Sequence, residues 1–361
     1  MKTIILNFTF FLLGAGLFAQ TTWTVDNRPG TTAQFTSVQA AHDAAQAGDF
    51  IYVHPSSVGY GNLNISKTIH IRGIGHNPEL GNGLNASING ITFINSSTNA
   101  SNPSGTSISG LNISAISNTT VESLSNVIIQ NNRIQNLFLA RGLNCVIQGN
   151  IFFPLFATAI NLGTGTHANY FISHNIFNLA TNGSSSEASI NQANDSDTIA
   201  NNIFIFNGLS SDPGIFRDSS NPIANNNIFL INNTISNGFR NPNSTVSFQN
   251  CLTFAYGGQN LNILNGNNNL NNINPLFENI GTPENPAFTY TKDYKLAIGS
   301  PAIDAGSDGD DLGIYSQGFL FQMRGYPFDL PYPTKINITN AVVEAGGNLE
   351  VNFGARANVE D

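Results

Sequence analysis

The sequence predicts an all-β solenoid, a parallel β-helix of about ten coils, from three observations. The first is a repeated phrase in which an asparagine precedes an aliphatic residue and an aromatic residue. The second is a spacing of about two dozen residues, which is typical of coils that stack and bury their apolar side chains together. The third is composition, because a chain with 34 glycines and only 10% charged residues suits tight turns better than long helices. Complete copies begin at Asn150, Asn175, Asn202 and Asn227, and looser copies at Asn112, Asn132 and Asn250.

The spacing of these asparagines increases along the chain. The steps are 20 (132−112), 18 (150−132), 25 (175−150), 27 (202−175), 25 (227−202) and 23 (250−227). The extra residues enter after Asn150, mainly between one Ile-Phe pair and the next strand. Because stacked coils place such insertions along one side, the sequence predicts a broad groove or ridge there. The insertions include 164–169, 181–197, 208–221 and 238–244.

Within each coil the phrase is expected to have a structural role. The Phe and Ile side chains should stack into one continuous core. The asparagine, at a turn, should form a ladder of side-chain amides with the coils above and below.

The N-terminus, residues 1–19, is predicted to be a secretory signal peptide. Lys2 supplies the positive charge, residues 4–18 are mainly apolar, and small Ala19 precedes a plausible cleavage point. An N-terminal membrane anchor is the alternative, although the apolar run is short for a spanning helix. The mature protein is therefore expected to be secreted, either extracellular or periplasmic, with the cell surface as a further location.

The charge balance restricts the partners. A net charge of −9 and a pI near 5.0 argue against nucleic acid, whose phosphates need Lys and Arg. They also disfavour a polyanionic polysaccharide unless a divalent cation bridges the charges. The remaining expected partner is a polysaccharide or cell-envelope glycan, bound by a monomer with no membrane span after signal cleavage.

The beginning of the mature chain contains the one predicted helix, residues 36–47, with Thr36 as N-cap and Gln39 completing a capping box. Residues 47–55, Ala-Gly-Asp-Phe-Ile-Tyr-Val-His-Pro, and the run 63–73 follow it. This arrangement resembles the start of the pectate-lyase-like right-handed parallel β-helix proteins, of the type that bacteria secrete. The resemblance implies a right-handed solenoid over residues 22–275 whose N-terminal end the helix caps.

The C-terminal part changes character after residue 275. Residues 300–306, Ser-Pro-Ala-Ile-Asp-Ala-Gly, and the later Asp-x-Gly-x-Tyr at 311–315 resemble the closing segment of many such proteins. Residues 276–325 are therefore predicted to close the solenoid as a C-terminal β cap. Residues 326–361 are predicted to be a proline-rich linker followed by a hairpin around Gly346-Gly347.

The two cysteines, Cys145 and Cys251, lie about four repeats apart. A disulfide requires Cα atoms within about 7 Å, whereas four coils span roughly 19 Å. Both thiols are predicted to be free and largely buried.

The inserted loops contain the candidate site residues. A lyase that acts on a uronate needs a bound cation and a base such as Arg, and a glycosidase needs two separated carboxylates. The clusters that pectate lyases and polygalacturonases carry are not found in this sequence. Scattered loop charges in solvent are therefore the alternative reading. The catalytic candidates are Arg217, Arg240, Asp195 and Asp197, and the candidates for a binding face are His167, Glu187, Asp212 and Asp218.

The acidic run after the Ser-Pro-Ala motif is a candidate Ca²⁺ site, because hard cations prefer several oxygen ligands. The alternative is a solvated turn whose carboxylates cap backbone N–H groups. Isolated histidines (His70, His76 and His174) are expected at the surface or in turns. The residues of the candidate Ca²⁺ site are Asp304, Asp308, Asp310 and Asp311.

Two functions remain open from the sequence. The first is a non-catalytic scaffold that presents an Asn-rich surface to carbohydrate or cell envelope. The second is a polysaccharide lyase or, less favoured, a glycosidase, acting on the long-loop face of the central coils.

Overall fold

The computed structural model describes residues 20–80, 83–94, 102–118, 124–154, 158–180, 188–207, 214–232, 238–340 and 342–356. These residues form an all-β parallel solenoid of about eight turns, so the predicted fold class is confirmed. About ten turns were predicted; one early turn is long, with paired Ile71 and Ile108 37 residues apart (108−71). The predicted signal peptide, Glu187 and Asp212 lie outside the described residues.

The first sheet contains eleven parallel strands in chain order. Its strands are short, because each coil contributes only two to six residues before the next turn. They are β1 Thr22–Val25, β2 Phe50–Val53, β4 His70–Arg72, β6 Ser107–Ser109, β9 Ile128–Gln130, β12 Val146–Gln148, β15 Phe171–Ser173, β18 Thr198–Ala200, β21 Ser220–Asn225, β23 Thr245–Gln249 and β25 Gly266–Asn267.

The second sheet contains twelve strands in two columns. Nine strands (12−3) form the longer column and therefore eight steps. They are β3 Asn62–Ile65, β5 Ser87–Phe93, β7 Asn112–Ser117, β10 Arg133–Phe138, β13 Ile151–Phe152, β16 Ile176–Ala180, β19 Ile203–Asn207, β22 Ile228–Ile231 and β24 Leu252–Ala255. The shorter column is β14 Ile160–Asn161, β17 Ile190–Asn191 and β20 Phe216–Arg217.

Three two-stranded sheets complete the described strands. They are β8 Leu124–Ser125 with β11 Gly142–Leu143, β26 Phe277–Asn279 with β27 Asp293–Leu296, and β28 Tyr332–Ile338 with β29 Val351–Arg356. The last pair is antiparallel and lies in the part of the chain predicted to contain a terminal hairpin. The described residues also include one helix, α1 Val38–Ala44, and a 3₁₀ turn at Pro78–Leu80. Among the described residues, no helix has the length and apolar character needed to cross a membrane.

Helix α1 begins later than predicted. Ser37, not Thr36, is the N-cap, and its hydroxyl accepts a hydrogen bond from Ala40 N at 3.3 Å. Gln39 does not close a capping box. Its amide instead exchanges hydrogen bonds with the backbone of Asn64, which ties the helix to β3. The helix contacts β1, β2 and β3, while its covering of the solenoid end remains a prediction.

The interior of the solenoid is a stack of like residues. The phenylalanines of the repeated phrase lie directly above one another in register. Their ring centroids are 4.8, 4.3 and 5.0 Å apart, and the first three rings are nearly parallel. The stack, formed by Phe152, Phe177, Phe204 and Phe229, is fully buried.

The asparagine ladder is also present and is fully buried. Each ladder amide accepts hydrogen bonds from the backbone N and side chain of the preceding ladder residue, as Asn202 does from Asn175 at 2.9 and 3.0 Å. Each also donates to a backbone carbonyl one coil back, as Asn202 does to Ile172 O at 2.9 Å. The ladder therefore satisfies polar backbone groups that the turn would otherwise leave unpaired. Its members are Asn132, Asn150, Asn175, Asn202 and Asn227.

Two predicted ladder positions are wrong by one residue. Asn112 pairs with Arg133 rather than with Asn132, so Leu111 occupies the ladder position. Similarly, Leu252 pairs with Ile228, which places Cys251 instead of Asn250 in line. The looser phrases gave the wrong register, and a shift of one residue moves a side chain to the opposite face of a strand.

The isoleucines of the phrase do not join the interior core, which corrects the prediction. They point outward and form a second apolar cluster, which we call the isoleucine ridge: Ile151, Ile176, Ile203, Ile228 and Leu252. Residues 276–329, here called the C-terminal strap, cover this ridge with Phe277, Phe288, Leu312 and Ile314. All members of the ridge are consequently buried although they lie outside the coil.

The strap runs back along the solenoid instead of only closing its end. Phe288 N donates to Asn178 Oδ1 at 2.8 Å, and Ser307 N donates to Asn226 Oδ1 at 2.8 Å. The far end reaches the first coils, where Asp329 forms an ion pair with Arg72 at 2.8 Å. The segment predicted as a C-terminal β cap is thus mainly a lateral cover, with β26 and β27 as its only described strand pair.

Both cysteines are free and buried, as predicted. Burial raises the pKa of Cys145 to about 11 and that of Cys251 to about 12. The thiols are therefore core groups and are not reactive as thiolates.

Candidate functional site

The described parts of the predicted insertions that immediately precede a strand of the first sheet lie at one turn of each coil. Residues 181–187 and 208–213 of the predicted insertions lie outside the described residues. We call residues 162–170, 192–197, 217–220 and 240–245 the long-loop corner. Serine hydroxyls shape it: Ser219 N donates to Ser244 Oγ at 3.0 Å, and Ala193 N donates to Ser219 Oγ at 3.1 Å. Sequence reasoning missed these serines, although their separation of 25 residues (244−219) matches the coil period.

Two of the predicted residues, His167 and Asp197, form a buried pair. Their Nε2 and Oδ2 atoms are 2.9 Å apart, and the side chains are 4% and 0% exposed. Asp197 also accepts hydrogen bonds from the backbone of Tyr170 and Asn194, at 3.0 and 2.9 Å. The imidazole stacks on the Tyr170 ring, and Asn194 Nδ2 lies 3.0 Å from its Nε2 atom.

This environment gives the pair a structural role. Asp197 was a candidate for holding a cation or for catalysis, yet its oxygens already accept three donors inside the protein. Tyr170 has a pKa raised by burial, and its hydroxyl donates to Leu139 O at 2.9 Å. The pair therefore joins neighbouring coils inside the protein, where both side chains are closed to solvent.

Arg217 and Asp218 lie at the surface of the same corner and form an ion pair with one another. The Nε–Oδ2 distance is 3.1 Å, and the side chains are 34% and 40% exposed. Asp218 also accepts a hydrogen bond from Asn243 Nδ2 at 2.9 Å. Both Asp218 and Asn243 have left-handed backbones, which Asn and Asp tolerate better than most residues. Asn243 was not predicted, although it lies 25 residues (243−218) after Asp218.

The structure places Arg240 and Arg217 on adjacent coils, but not side by side. Arg240 pairs with Gly214, three residues (217−214) before Arg217. Asp195 is exposed at the tip of the turn closed by the Asp197 N to Asn194 O hydrogen bond. The catalytic candidates therefore do not converge on one point, and their roles remain predictions.

A shallow polar depression of about 590 Å³ opens at this corner. Hydroxyl and amide groups dominate its walls, and Asp218 contributes its one carboxylate. Such groups both donate and accept hydrogen bonds, which suits hydroxyl-rich ligands. The lining residues are Asp218, Ser219, Ser220, Asn241, Asn243, Ser244 and Thr245.

The acidic run in the strap uses its carboxylates on the backbone. Asp311 Oδ1 accepts from Asp304 N at 3.0 Å, and Asp308 Oδ1 accepts from Asp310 N at 3.2 Å. Hydrogen bonds from Gln317 keep the pKa of Asp308 below its ordinary value, although burial opposes the shift. In the part of the chain that the structure describes, no three or more His, Cys, Asp or Glu side chains group as a metal site. These contacts match the capped-turn alternative, and Ca²⁺ binding remains a prediction.

Two of the isolated histidines are buried under the strap rather than exposed at the surface, and His174 lies in a turn, the other position expected. His76 is fully buried, and its ring Nδ1 lies 3.0 Å from the Tyr290 hydroxyl. Its backbone N–H donates a hydrogen bond to Arg324 O. His174 occupies the left-handed turn position before the ladder and packs on Phe319, with ring centroids 4.4 Å apart. Burial lowers the pKa of His76 to about 3 and that of His174 to about 4. His70 is half-buried and bonds to Ser107 Oγ at 2.8 Å.

The sequence was compared with protein-family models and with curated proteins, and neither comparison finds a match. The parallel solenoid is consistent with the pectate-lyase-like fold. Membership of that family stays a prediction from the residues at the two ends of the chain.

Proposed function

We propose that this protein is a secreted, non-catalytic β-helix scaffold that binds a carbohydrate or cell-envelope glycan through its long-loop corner. The proposal includes the right-handed coil and export that the sequence indicates. The observation that carries it is the pairing of the corner's charges. His167 and Asp197 are locked together inside, and Arg217 is paired with Asp218 outside.

This pairing distinguishes a binding surface from an enzyme site. A glycosidase needs two carboxylates that face one bond from opposite sides, and a lyase needs a base within reach of the sugar. At the corner, the buried carboxylate of Asp197 is engaged by protein groups, the exposed one of Asp218 bonds to Asn243, and exposed Asp195 lies at the tip of a separate turn. What the corner offers to a ligand is a row of hydroxyl and amide groups, which favours recognition of sugar hydroxyls.

The test uses the chain purified from culture medium and a set of glycans in affinity electrophoresis. The probes are polygalacturonate and alginate, each with and without Ca²⁺, and neutral xylan and glucomannan. We expect at least one glycan to retard the protein. The double variant Asp218→Ala/Asn243→Ala should weaken the retardation about tenfold, since it removes two hydrogen-bonding groups. Asn89→Ala, on the exposed face of β5, is the control and should bind normally.

The same glycans are followed for turnover by absorbance of unsaturated product and by a reducing-sugar assay. The scaffold proposal predicts no turnover of any probe. Turnover that disappears in Arg217→Ala would establish the lyase alternative. An absence of retardation by all probes would overturn glycan binding at the corner.

A further inference from the structure

A second cavity lies at the opposite end of the molecule from the acidic strap loop, where the mature chain begins. Its volume is about 310 Å³, at the lower end of the ~300–1,000 Å³ typical of small-molecule sites. It lies between the start of β1, the end of α1 and the turn that leads into β2. Its walls are Gln20, Thr21, Trp23, Ala44, Gln46, Ala47 and Asp49.

We infer that this cavity binds one neutral sugar unit, with Trp23 as its apolar wall and Gln46 as a hydrogen-bonding group. The inference rests on the proposed glycan association for its ligand class. It adds a site that is independent of the long-loop corner. Three features support it: a fixed indole, a carboxylate that already accepts three hydrogen bonds, and an exposed rim of side-chain amides.

The indole of Trp23 is held in place from two sides. Its Nε1 donates to Asp49 Oδ2 at 2.9 Å, and its ring packs edge-on against Phe35 with centroids 5.6 Å apart. Trp23 is only partly buried, so the cavity retains part of its apolar surface. A rigid aromatic wall lowers the ordering cost of binding, and such a wall suits the apolar face of a sugar ring.

The carboxylate of Asp49 is ionised and already engaged. It is 5% exposed and accepts hydrogen bonds from Thr21 N and Gln46 N, both at 2.9 Å, in addition to the indole N–H. Burial alone would raise its pKa, yet these three hydrogen bonds bring the pKa below its ordinary value. The negative charge disfavours an anionic ligand. Three of about four acceptor positions on the carboxylate are used, so it cannot form the oxygen cage that a hard cation requires.

The rim supplies the remaining chemistry. The side chains of Gln20 and Gln46 are exposed, and each amide can donate and accept. Exposed Ala44 and Ala47 add methyl groups beside them. The basic group nearest in the fold, Lys67, is turned to the carbonyl of Ala45 at 2.5 Å and so caps the end of the helix. A small, uncharged ligand with hydroxyl groups and one apolar face is what this combination fits.

The experiment uses the fluorescence of Trp23, the only tryptophan of the chain. The secreted protein is titrated with xylohexaose, cellohexaose and mannohexaose, with hexagalacturonate as the anionic comparison. We expect a saturable change in emission with a neutral hexasaccharide and none with the anionic one. Gln46→Ala should weaken the affinity about tenfold, the effect of one lost hydrogen bond of about 1.4 kcal/mol. Calorimetry on Trp23→Phe, which lacks the fluorescence signal, should show the same binding event weakened.

The controls separate this site from the corner. Asp218→Ala/Asn243→Ala should leave the fluorescence titration unchanged, while Gln46→Ala should leave the corner's gel retardation unchanged. Far-ultraviolet circular dichroism verifies that each variant is folded. A titration without any saturable change for the neutral hexasaccharides would overturn the inference. A fluorescence change of the same affinity in Gln46→Ala would also overturn the inference. The same holds for an equal fluorescence change with hexagalacturonate.

Discussion

The strap-covered side of the solenoid and its long-loop corner are built from the same coils, but they use polar side chains differently. On the strap-covered side, the ladder asparagines bond to the backbone and to one another, and each of the two histidines beneath the strap has one ring nitrogen within hydrogen-bond distance of a strap hydroxyl. At the corner, Arg217, Asp218 and Asn243 bond to one another at the surface. The comparison teaches that abundance of a polar residue says little about function in a repeat protein. Its position relative to the turn decides whether it holds the coil or lies at the surface.

The largest effect is expected inside the strap-covered side, at the asparagine ladder. Asn202→Ala leaves the backbone N–H of Asn175 and the carbonyls of Ile172 and Ala200 without their partners. Each unpaired buried group costs about 1–3 kcal/mol, so the free energy of unfolding should fall by about 3–5 kcal/mol. Thermal and denaturant unfolding measure this loss. The exposed Asn89→Ala is the matched control and should change stability by less than about 0.5 kcal/mol. Equal losses in the two variants would remove the distinction between ladder and surface.

The second effect concerns the docking of the strap. Gly325 has a φ of +71°, and a methyl group there would meet the His76 ring and lie 2.8 Å from Asn131 O. Gly325→Ala should therefore lift the end of the strap and cost about 3 kcal/mol. Limited proteolysis and hydrogen exchange of residues 316–329 would detect the lifting.

Gly309→Ala provides the control for this variant. Its φ is +81°, but nothing lies within 4 Å of the added methyl group. It should show only the backbone cost, about 1 kcal/mol, with normal protection of the strap. If Gly309→Ala increased cleavage as much as Gly325→Ala, close packing on His76 would not be what holds the strap.

The third effect is a dependence on pH that belongs to the strap-covered side. Burial lowers the pKa of His76 to about 3 and of His174 to about 4, whereas an unfolded histidine titrates near about 6.5. As the pH falls, the unfolded chain therefore binds protons first. The part of the free energy of unfolding that comes from keeping these two histidines neutral is fully present above about pH 6.5. It is lost progressively as the pH falls towards about 3–4. At pH 5 the loss should be about 2 kcal/mol for each histidine, at 1.36 kcal/mol per pKa unit.

Unfolding measured between pH 7 and pH 5 tests this dependence. Arg133 also lowers the pKa of His76, whereas Asp308 and Asp310 act in the opposite direction on His174. His174→Asn keeps a side chain that tolerates the left-handed turn and removes one titrating group. Between pH 7 and pH 5 it should reduce the loss of stability by about 2 kcal/mol, the contribution of this one histidine. An unchanged slope would show that other groups cause the acid sensitivity.

The sequence predicted the solenoid, the Phe stack, the Asn ladder and the free cysteines because each depends on the coil period. It could not place Ile176 outside the coil, since an apolar residue gives the same signal whether the interior or the strap covers it. His76 appeared isolated for a similar reason: Tyr290 and Arg324, its partners, lie more than 200 residues away (290−76 = 214). At the corner, the loop residues were found but their pairing was not. Whether Arg217 meets Asp218 or Arg240 depends on a register that irregular loops do not reveal.

The smallest effect on stability is expected at the corner, and it tests the comparison most sharply. Arg217→Ala and Asp218→Asn each break an ion pair whose side chains are 34% and 40% exposed. An exposed pair contributes little, because water and salt screen it and both side chains lose freedom to form it. Each variant, and their coupling in a double-mutant cycle, should therefore lie within about 0.5 kcal/mol of the parent. Unfolding at low and high salt measures this, with glycan retardation recorded on the same samples. A change in retardation without a change in stability would place the ligand at the corner. A loss of several kcal/mol would show that these charges hold the coil, as the polar groups under the strap do.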